Sequence, residues 1–136
     1  IPHYRDFKKV SVFYKNQESI LLIDLMTNDV EKTTNELLKC DKIISSSLHG
    51  IIVAHAYGIP AVWQKFSEDV FGDDIKYQDY FESVLIPNYK SDIKDVCMNL
   101  NELESLFNNK AVVPEKEVIT SLCANLMAVC PFKSEF

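Results

Sequence analysis

Three short apolar runs constrain this chain more than any other feature. Ile20-Leu21-Leu22-Ile23, Lys42-Ile43-Ile44-Ser45 and Ala61-Val62-Trp63-Gln64 suit strands of a parallel sheet covered on both faces. Helix patterns lie between them. Asn28 stands ahead of Glu31 as in a capping box, and Val30, Thr34, Leu37 and Leu38 then mark one helix face. A nearly all-apolar helix runs from about Leu48 to Tyr57, with Gly58 as its C′ residue and Pro60 as its stop. The βαβαβ order, with right-handed crossovers, predicts an α/β fold: a Rossmann-like open parallel sheet with helices on both faces.

Around this unit the signals are more local. Asp6 is placed to cap a helix from about Phe7 to Tyr14, with Phe7, Val10 and Tyr14 on one face. Ile1-Pro2-His3-Tyr4 reads as the exit from a strand, which is expected to lie mostly or wholly outside the chain, as part of a longer protein. Beyond Phe66 the pattern turns helical. One helix is expected over Asp74 to Val84, with Ile75, Gln78, Asp79 and Glu82 on its turns. Others are expected over Ser91 to Leu100, carrying Ile93, Val96, Cys97 and Leu100, and over Asn101 to Asn108. Pro114 is expected at N1 of a last helix reaching about Met127, with Val118, Leu122, Leu126 and Val129 inward. Residues 84–136 are thus expected to be mainly helical, with 87–109 open to being partly irregular, and 1–136 to form a single domain.

Composition narrows the function classes. With 136 residues, 47% hydrophobic and 25% charged, the chain suits one packed domain rather than disorder. A net charge of −6, with Arg5 the one arginine, disfavours nucleic acid, whereas a small anion needs only a local pocket. Cys40, Cys97, Cys123 and Cys130 have no C-x-x-C spacing, so buried, reduced thiols are expected rather than a zinc site or a disulfide framework. No cluster of His, Cys, Asp or Glu has ligand spacing, and no metal is expected. No apolar run is long enough to span a bilayer, and no signal peptide opens the chain. A soluble, cytoplasmic protein is expected, with a peripheral link to the inner face of the membrane left open.

In an open parallel sheet, ligands bind at the carboxyl ends of the strands. That edge carries Asp24, Ser45-Ser46-Ser47-Leu48-His49-Gly50 and Gln64-Lys65. The serine run joins a strand to a helix N-terminus, where free N–H groups and the helix dipole favour an anion. Its three hydroxyls can add donors, His49 sits in the first turn, and Gly50 permits close approach of a ligand or a backbone. Two readings are open: ordinary helix capping, or an anion site that the combination of serines, histidine and fold position favours. A serine nucleophile fits less well, since there is no G-x-S-x-G elbow and no paired acid. His55, inside an apolar helix, reads as a satisfied core histidine, and Trp63 as a core residue.

The run from Ser45 to Gly50, continued by Ile51-Ile52-Val53-Ala54-His55-Ala56-Tyr57-Gly58-Ile59-Pro60-Ala61-Val62-Trp63, resembles the polysaccharide pyruvyl transferase family. Ile1-Pro2-His3-Tyr4, the segment from Lys76 to Ser83, and Cys130-Pro131-Phe132 resemble further family segments in the same order. The resemblance spans nearly the whole chain, but only the C-terminal half of a family member. It implies the donor-binding half of a GT-B-like architecture, in which the enolpyruvyl unit of phosphoenolpyruvate passes to a sugar hydroxyl, leaving a pyruvate ketal and phosphate. The implied partners are phosphoenolpyruvate, a saccharide or lipid-linked oligosaccharide acceptor, and an N-terminal half of the same enzyme. No cofactor beyond the donor is implied.

By the same resemblance, Ser46, Ser47, His49 and Gly50 are donor-site residues, and His49 is the catalytic candidate, as acid or as phosphate stabiliser. Some relatives carry Arg where this chain has Ser47, and serine cannot clamp an oxyanion bidentately. The missing charge is then sought in Lys65, Lys76, Arg5 or the other half. His3 is open to a cleft contact or to loop packing. Lys76 and Asp79 are open to a cleft role or to pairing with each other, and Tyr80 and Ser83 follow the same logic. Two rivals stand: a GT-B glycosyltransferase half with a nucleotide-sugar donor, which Asp24 keeps open, and a non-catalytic Rossmann-like interaction domain.

Overall fold

The computed structural model describes residues 1–72 and 74–132. Helix α1 (Phe7–Tyr14) forms where expected and buries Val10 and Tyr14, but Asp6 does not cap it through its side chain. Helix α2 (Val30–Leu37) is capped by Asp29, whose side chain accepts the Lys32 N–H at 2.9 Å, rather than by Asn28. Only Leu37 of its expected face is buried, while Val30 and Leu38 are exposed.

Strands β1 (Ile43–Ser45) and β2 (Ala61–Trp63) pair in parallel, Ile43 opposite Ala61 and Ser45 opposite Trp63. Helix α3 (Leu48–Ala56) connects them and packs on both. Its C-terminus is a Schellman motif: Ile59 N–H donates to Ala54 C=O at 2.9 Å, and Gly58 N–H to His55 C=O at 3.0 Å. Gly58 sits at φ +70°, as its expected C′ role requires.

The third expected strand is not formed. Residues 20–23 make no ladder, and the described sheet has two strands. Their apolar character is real, since Ile23 lies in the core, but a strand also needs a partner beside it. Ile43 and Ile44 enter two different apolar clusters, as successive residues of a strand must. The first gathers Ile23, Leu37, Ile51, Ala54 and Trp63; the second gathers Val10, Tyr14, Phe66, Met98 and Leu103. The architecture is α/β, with a small parallel sheet between these clusters.

Helix α4 (Ile75–Ser83) follows from Asp74, which sits at φ +68°. Its inward residues are Tyr77 and Phe81, and Ile75 is exposed, so the buried face is not the one the pattern suggested. Tyr77 stacks on Trp63 with centroids 4.2 Å apart, which places Trp63 in the core as expected. The helix expected over 91–100 is absent. That stretch is irregular, and α5 (Leu100–Ser105) begins at its end, behind an Asn99–Glu102 capping box. Irregular backbone here has a use: outward-facing N–H groups along β2 and just beyond it are met by this segment and its neighbours. Ala61 N–H donates to Val112 C=O at 2.7 Å, Trp63 N–H to Tyr89 Oη at 2.6 Å, and Lys65 N–H to Ser91 Oγ at 2.8 Å.

Helix α6 (Lys116–Ala128) starts two residues after Pro114, which lies ahead of its N-cap Glu115 rather than at N1. Val118 and Leu122 are half-buried, but Leu126 and Val129 are exposed, because this half of the helix has no neighbour among the described residues. The expectation of a mainly helical 84–136 therefore holds only for α5 and α6. Of the four free cysteines, Cys97 and Cys123 are exposed, against the expectation of buried thiols.

Candidate functional site

The carboxyl end of β1 runs straight into α3, and the three serines at that junction do different work. Ser45 Oγ lies 2.6 Å from the Ile1 carbonyl oxygen, to which it donates, and accepts the Ser47 N–H at 3.0 Å. Ser46 Oγ donates to Asp6 Oδ2 at 2.5 Å and accepts the His3 N–H at 2.9 Å. Tyr77 Oη donates to the Ser46 carbonyl at 2.7 Å, pulling α4 onto the junction. Two of the three hydroxyls thus fasten the 1–6 segment to β1 and are not free for a ligand. Ser47 is the N-cap of α3, with extended backbone and no side-chain cap bond. Its hydroxyl has no hydrogen-bond partner among the described residues.

Beyond Ser47 the first turn of α3 leaves the Leu48, His49 and Gly50 N–H groups without an intrahelical acceptor. Gly50 is buried, and the close approach it permits is internal: a Cβ there would lie 2.4 Å from Ser45 Oγ and 3.0 Å from Ile1 Cγ2. It shapes the site without being open to a ligand. His49 is exposed and stands beside these N–H groups.

Two cations, Arg5 and Lys76, and two histidine rings gather around this turn. The half-buried His3 ring is held below its usual pKa by burial first and then by the Lys76 ammonium, with further pushes from Arg5 and His49 and an opposing pull from Asp6. Arg5 lies over the Phe71 ring, 4.0 Å from its centroid, and donates to Tyr4 Oη at 3.1 Å. Lys76 Nζ reaches Phe71 C=O at 3.4 Å and stands 5.2 Å from the Tyr77 centroid. His3, Arg5, His49 and Lys76 therefore share one electrostatic neighbourhood at the head of α3.

Lys65 lines a small crevice of about 10 Å³ with Ser46, Trp63, Phe71, Asp74 and Tyr77. Its charge is already engaged by Asp74 at 3.3 Å and Glu68 at 4.0 Å. Asp79 is exposed, and no ion pair joins it to Lys76 among the described residues, so the suggested pairing is not formed. Tyr80 and His55 belong elsewhere. His55 Nδ1 accepts from Tyr80 Oη at 3.0 Å, and Nε2 donates to Val112 C=O at 3.1 Å, the satisfied core histidine that was expected. Ser83 Oγ donates back to Tyr80 C=O at 2.7 Å. Asp24 closes a local turn by accepting the Met26 N–H at 2.9 Å.

Asp6 is the residue that sequence reasoning misplaced. It is fully buried, and its second oxygen accepts from Ser67 Oγ at 2.5 Å. One carboxylate therefore joins the 1–6 segment, the end of β1 and the stretch after β2. Its position ahead of a helix pointed to a cap; nothing local marked the partners, which lie far along the chain. Among the described residues no three His, Cys, Asp or Glu side chains converge on a point that could hold a metal, and no helix is long and apolar enough to cross a membrane.

The model of the polysaccharide pyruvyl transferase family matches residues 3–63. That stretch contains His3, the serine run, α3 and β2, so the resemblance carried by its motifs is borne out. The chain is also similar to an uncharacterized protein of Acanthamoeba polyphaga mimivirus, with 35% identity over 128 residues. The match covers 92% of this chain and 44% of that relative, so the chain spans less than half the length of the protein it resembles. No solved structure matches it.

Proposed function

With a polysaccharide pyruvyl transferase match over residues 3–63 as premise, we propose that this chain is the donor-binding half of such an enzyme. In this reading it is a Rossmann-like, C-terminal part of a GT-B-like protein that acts in making pyruvylated cell-surface polysaccharide. The donor is phosphoenolpyruvate, the acceptor a saccharide or lipid-linked oligosaccharide, and the product a pyruvate ketal with release of phosphate. The other half brings the acceptor and the remaining acid–base groups, and the protein works in the cytoplasm.

The observation that carries this reading is the pair of cations Arg5 and Lys76 beside the His3 and His49 rings at the N-terminal turn of α3. Phosphoenolpyruvate bears a phosphate and a carboxylate. The open N–H groups of Leu48 and His49, with the Ser47 hydroxyl, suit one anionic group, and the flanking cations suit the other. Where some relatives place an arginine before Leu-His-Gly, this chain has Ser47, and Arg5 and Lys76 make up the charge from neighbouring elements.

Ketal formation needs a proton delivered to the enol methylene carbon, attack of a sugar hydroxyl at the adjacent carbon, and departure of phosphate. In this scheme His49 stabilises the leaving phosphate, and neighbouring cations keep the site electropositive as charge develops. Ser46 and Gly50 hold the turn in shape, and Lys65, balanced by Asp74, lines its floor.

Calorimetry on the full-length protein tests this. Phosphoenolpyruvate should bind, and His49→Ala or Lys76→Ala should weaken it by about tenfold each, the scale of one charge-assisted hydrogen bond. Preference for UDP over phosphoenolpyruvate would replace this reading with the nucleotide-sugar glycosyltransferase. Binding of neither would leave a non-catalytic interaction domain whose serine run only caps a helix.

A further inference from the structure

A groove of about 560 Å³ lies between the irregular 20–23 segment and β1, lined by Ile1, Ile20, Leu22, Ile23, Ile43 and Ile44. Its walls carry backbone hydrogen-bonding groups as well as apolar side chains. On β1, Ile43 N–H donates to Pro60 C=O and Ser45 C=O accepts from Gln64 N–H, so both of these residues face β2. Strand alternation then turns the N–H and C=O of Ile44 into the groove. The Ile44 C=O is met by the nitrogen of Ile1 at 2.8 Å. The Ile44 N–H has no partner among the described residues, and the same holds for the N–H groups of Leu21, Leu22 and Ile23 on the facing wall. A strand and a facing segment with open backbone groups, separated by an apolar slot, call for an occupant that offers donors and acceptors on both of its sides.

The direction and register of that occupant are already set. Ile1 nitrogen bonds Ile44, Ile1 C=O meets the Ser45 side chain, and His3 N–H meets the Ser46 side chain. The 1–3 segment therefore runs alongside 44–46 in the same direction, and the Ile1–Ile44 contact has the form of the last rung of a parallel ladder. We infer that the groove seats a β-strand of about four residues, supplied by the same chain immediately ahead of Ile1, parallel to β1 and lying between β1 and the 20–23 segment. In a parallel ladder the Ile44 N–H then donates to the carbonyl of the residue two positions ahead of Ile1. Pairing on its other side turns residues 20–23 into the strand their apolar run suits.

Two further observations agree. The Ile1 amino group is buried, and burial pushes its pKa down to about 5, a cost that a peptide nitrogen at the same place does not carry. The viral relative is much longer than the stretch it shares with this chain. The inference does not depend on the pyruvyl transferase reading, since it concerns backbone pairing alone.

The test is NMR on the natural chain with the residues its gene encodes ahead of Ile1. The expected result is a hydrogen-bond coupling from the Ile44 amide to the carbonyl of the residue two ahead of Ile1. Amide exchange at Ile44 and Leu22 should be slowed at least about 100-fold relative to an unfolded peptide. Replacing the four residues ahead of Ile1 with a Gly-Ser stretch should lower that protection at least about tenfold and create a site for the apolar dye ANS. The Ile51 amide of α3 should stay protected throughout. An Ile44 amide in the natural chain that exchanges like an unfolded peptide would overturn the inference. So would protection that the Gly-Ser replacement leaves unchanged, or a reading frame that opens at Ile1.

Discussion

Asp6 and Gly50 fix the candidate site without touching what it would bind. The Asp6 carboxylate takes hydroxyl hydrogen bonds from Ser46 and Ser67 in a fully buried position. Asp6→Ala should therefore cost about 1–3 kcal/mol in urea unfolding, because two buried hydroxyls lose their acceptor. Asp6→Asn should cost less, since its amide keeps one oxygen for a hydroxyl. At Gly50 the obstacle to a side chain is Ser45 Oγ, 2.4 Å from the site of a Cβ. Gly50→Ala should lose about 1–3 kcal/mol by overpacking. In a double-mutant cycle, adding Ser45→Ala to it should cost less than the separate losses together, because the two changes relieve one clash. The sequence made the serine run and His49 legible as a cluster, since they are contiguous. It did not distinguish the committed hydroxyls of Ser45 and Ser46 from the open one of Ser47, because their partners are Ile1, His3 and Asp6, far from them along the chain.

Elements whose signals are local came through, and those that depend on a distant neighbour did not. Helix α3 and its Gly58 C′ residue follow from an apolar run and a glycine-proline stop within one stretch. Gly58→Ala should cost about 1 kcal/mol through its left-handed backbone alone, since nothing stands within 4 Å of the added methyl. The 91–99 segment has helical spacing, yet its Ser91 hydroxyl and the nearby Tyr89 serve as acceptors for β2, and irregular backbone is what brings them there. Between α3 and α4, His55 is held neutral by burial, against the raising effect of its bond to Val112. Its pKa lies below the unfolded value, so the unfolded chain takes up the proton first as pH falls. Stability from this residue is present above about pH 6.5 and is lost as pH drops towards the lowered native value. Urea midpoints measured from pH 7.5 down to 5 should fall, and His55→Phe should flatten the slope in part, with the lowered His3 contributing the rest.

At the scale of the whole molecule, the α/β class was legible because it needs only the alternation of strand and helix patterns. The width of the sheet was not, because a strand is defined by what lies beside it, and 20–23 has nothing paired to it here. The two sides of this sheet are also closed to a stranger in different ways. On the outer side, Val112, Tyr89 and Ser91 occupy the N–H groups of Ala61, Trp63 and Lys65, so no foreign strand finds a free row of donors there. Edge-to-edge aggregation through β2 is thereby blocked by three unremarkable loop residues. With the opposite side of β1 taken by the chain's own strand, as inferred above, neither side of this sheet is left for a foreign strand.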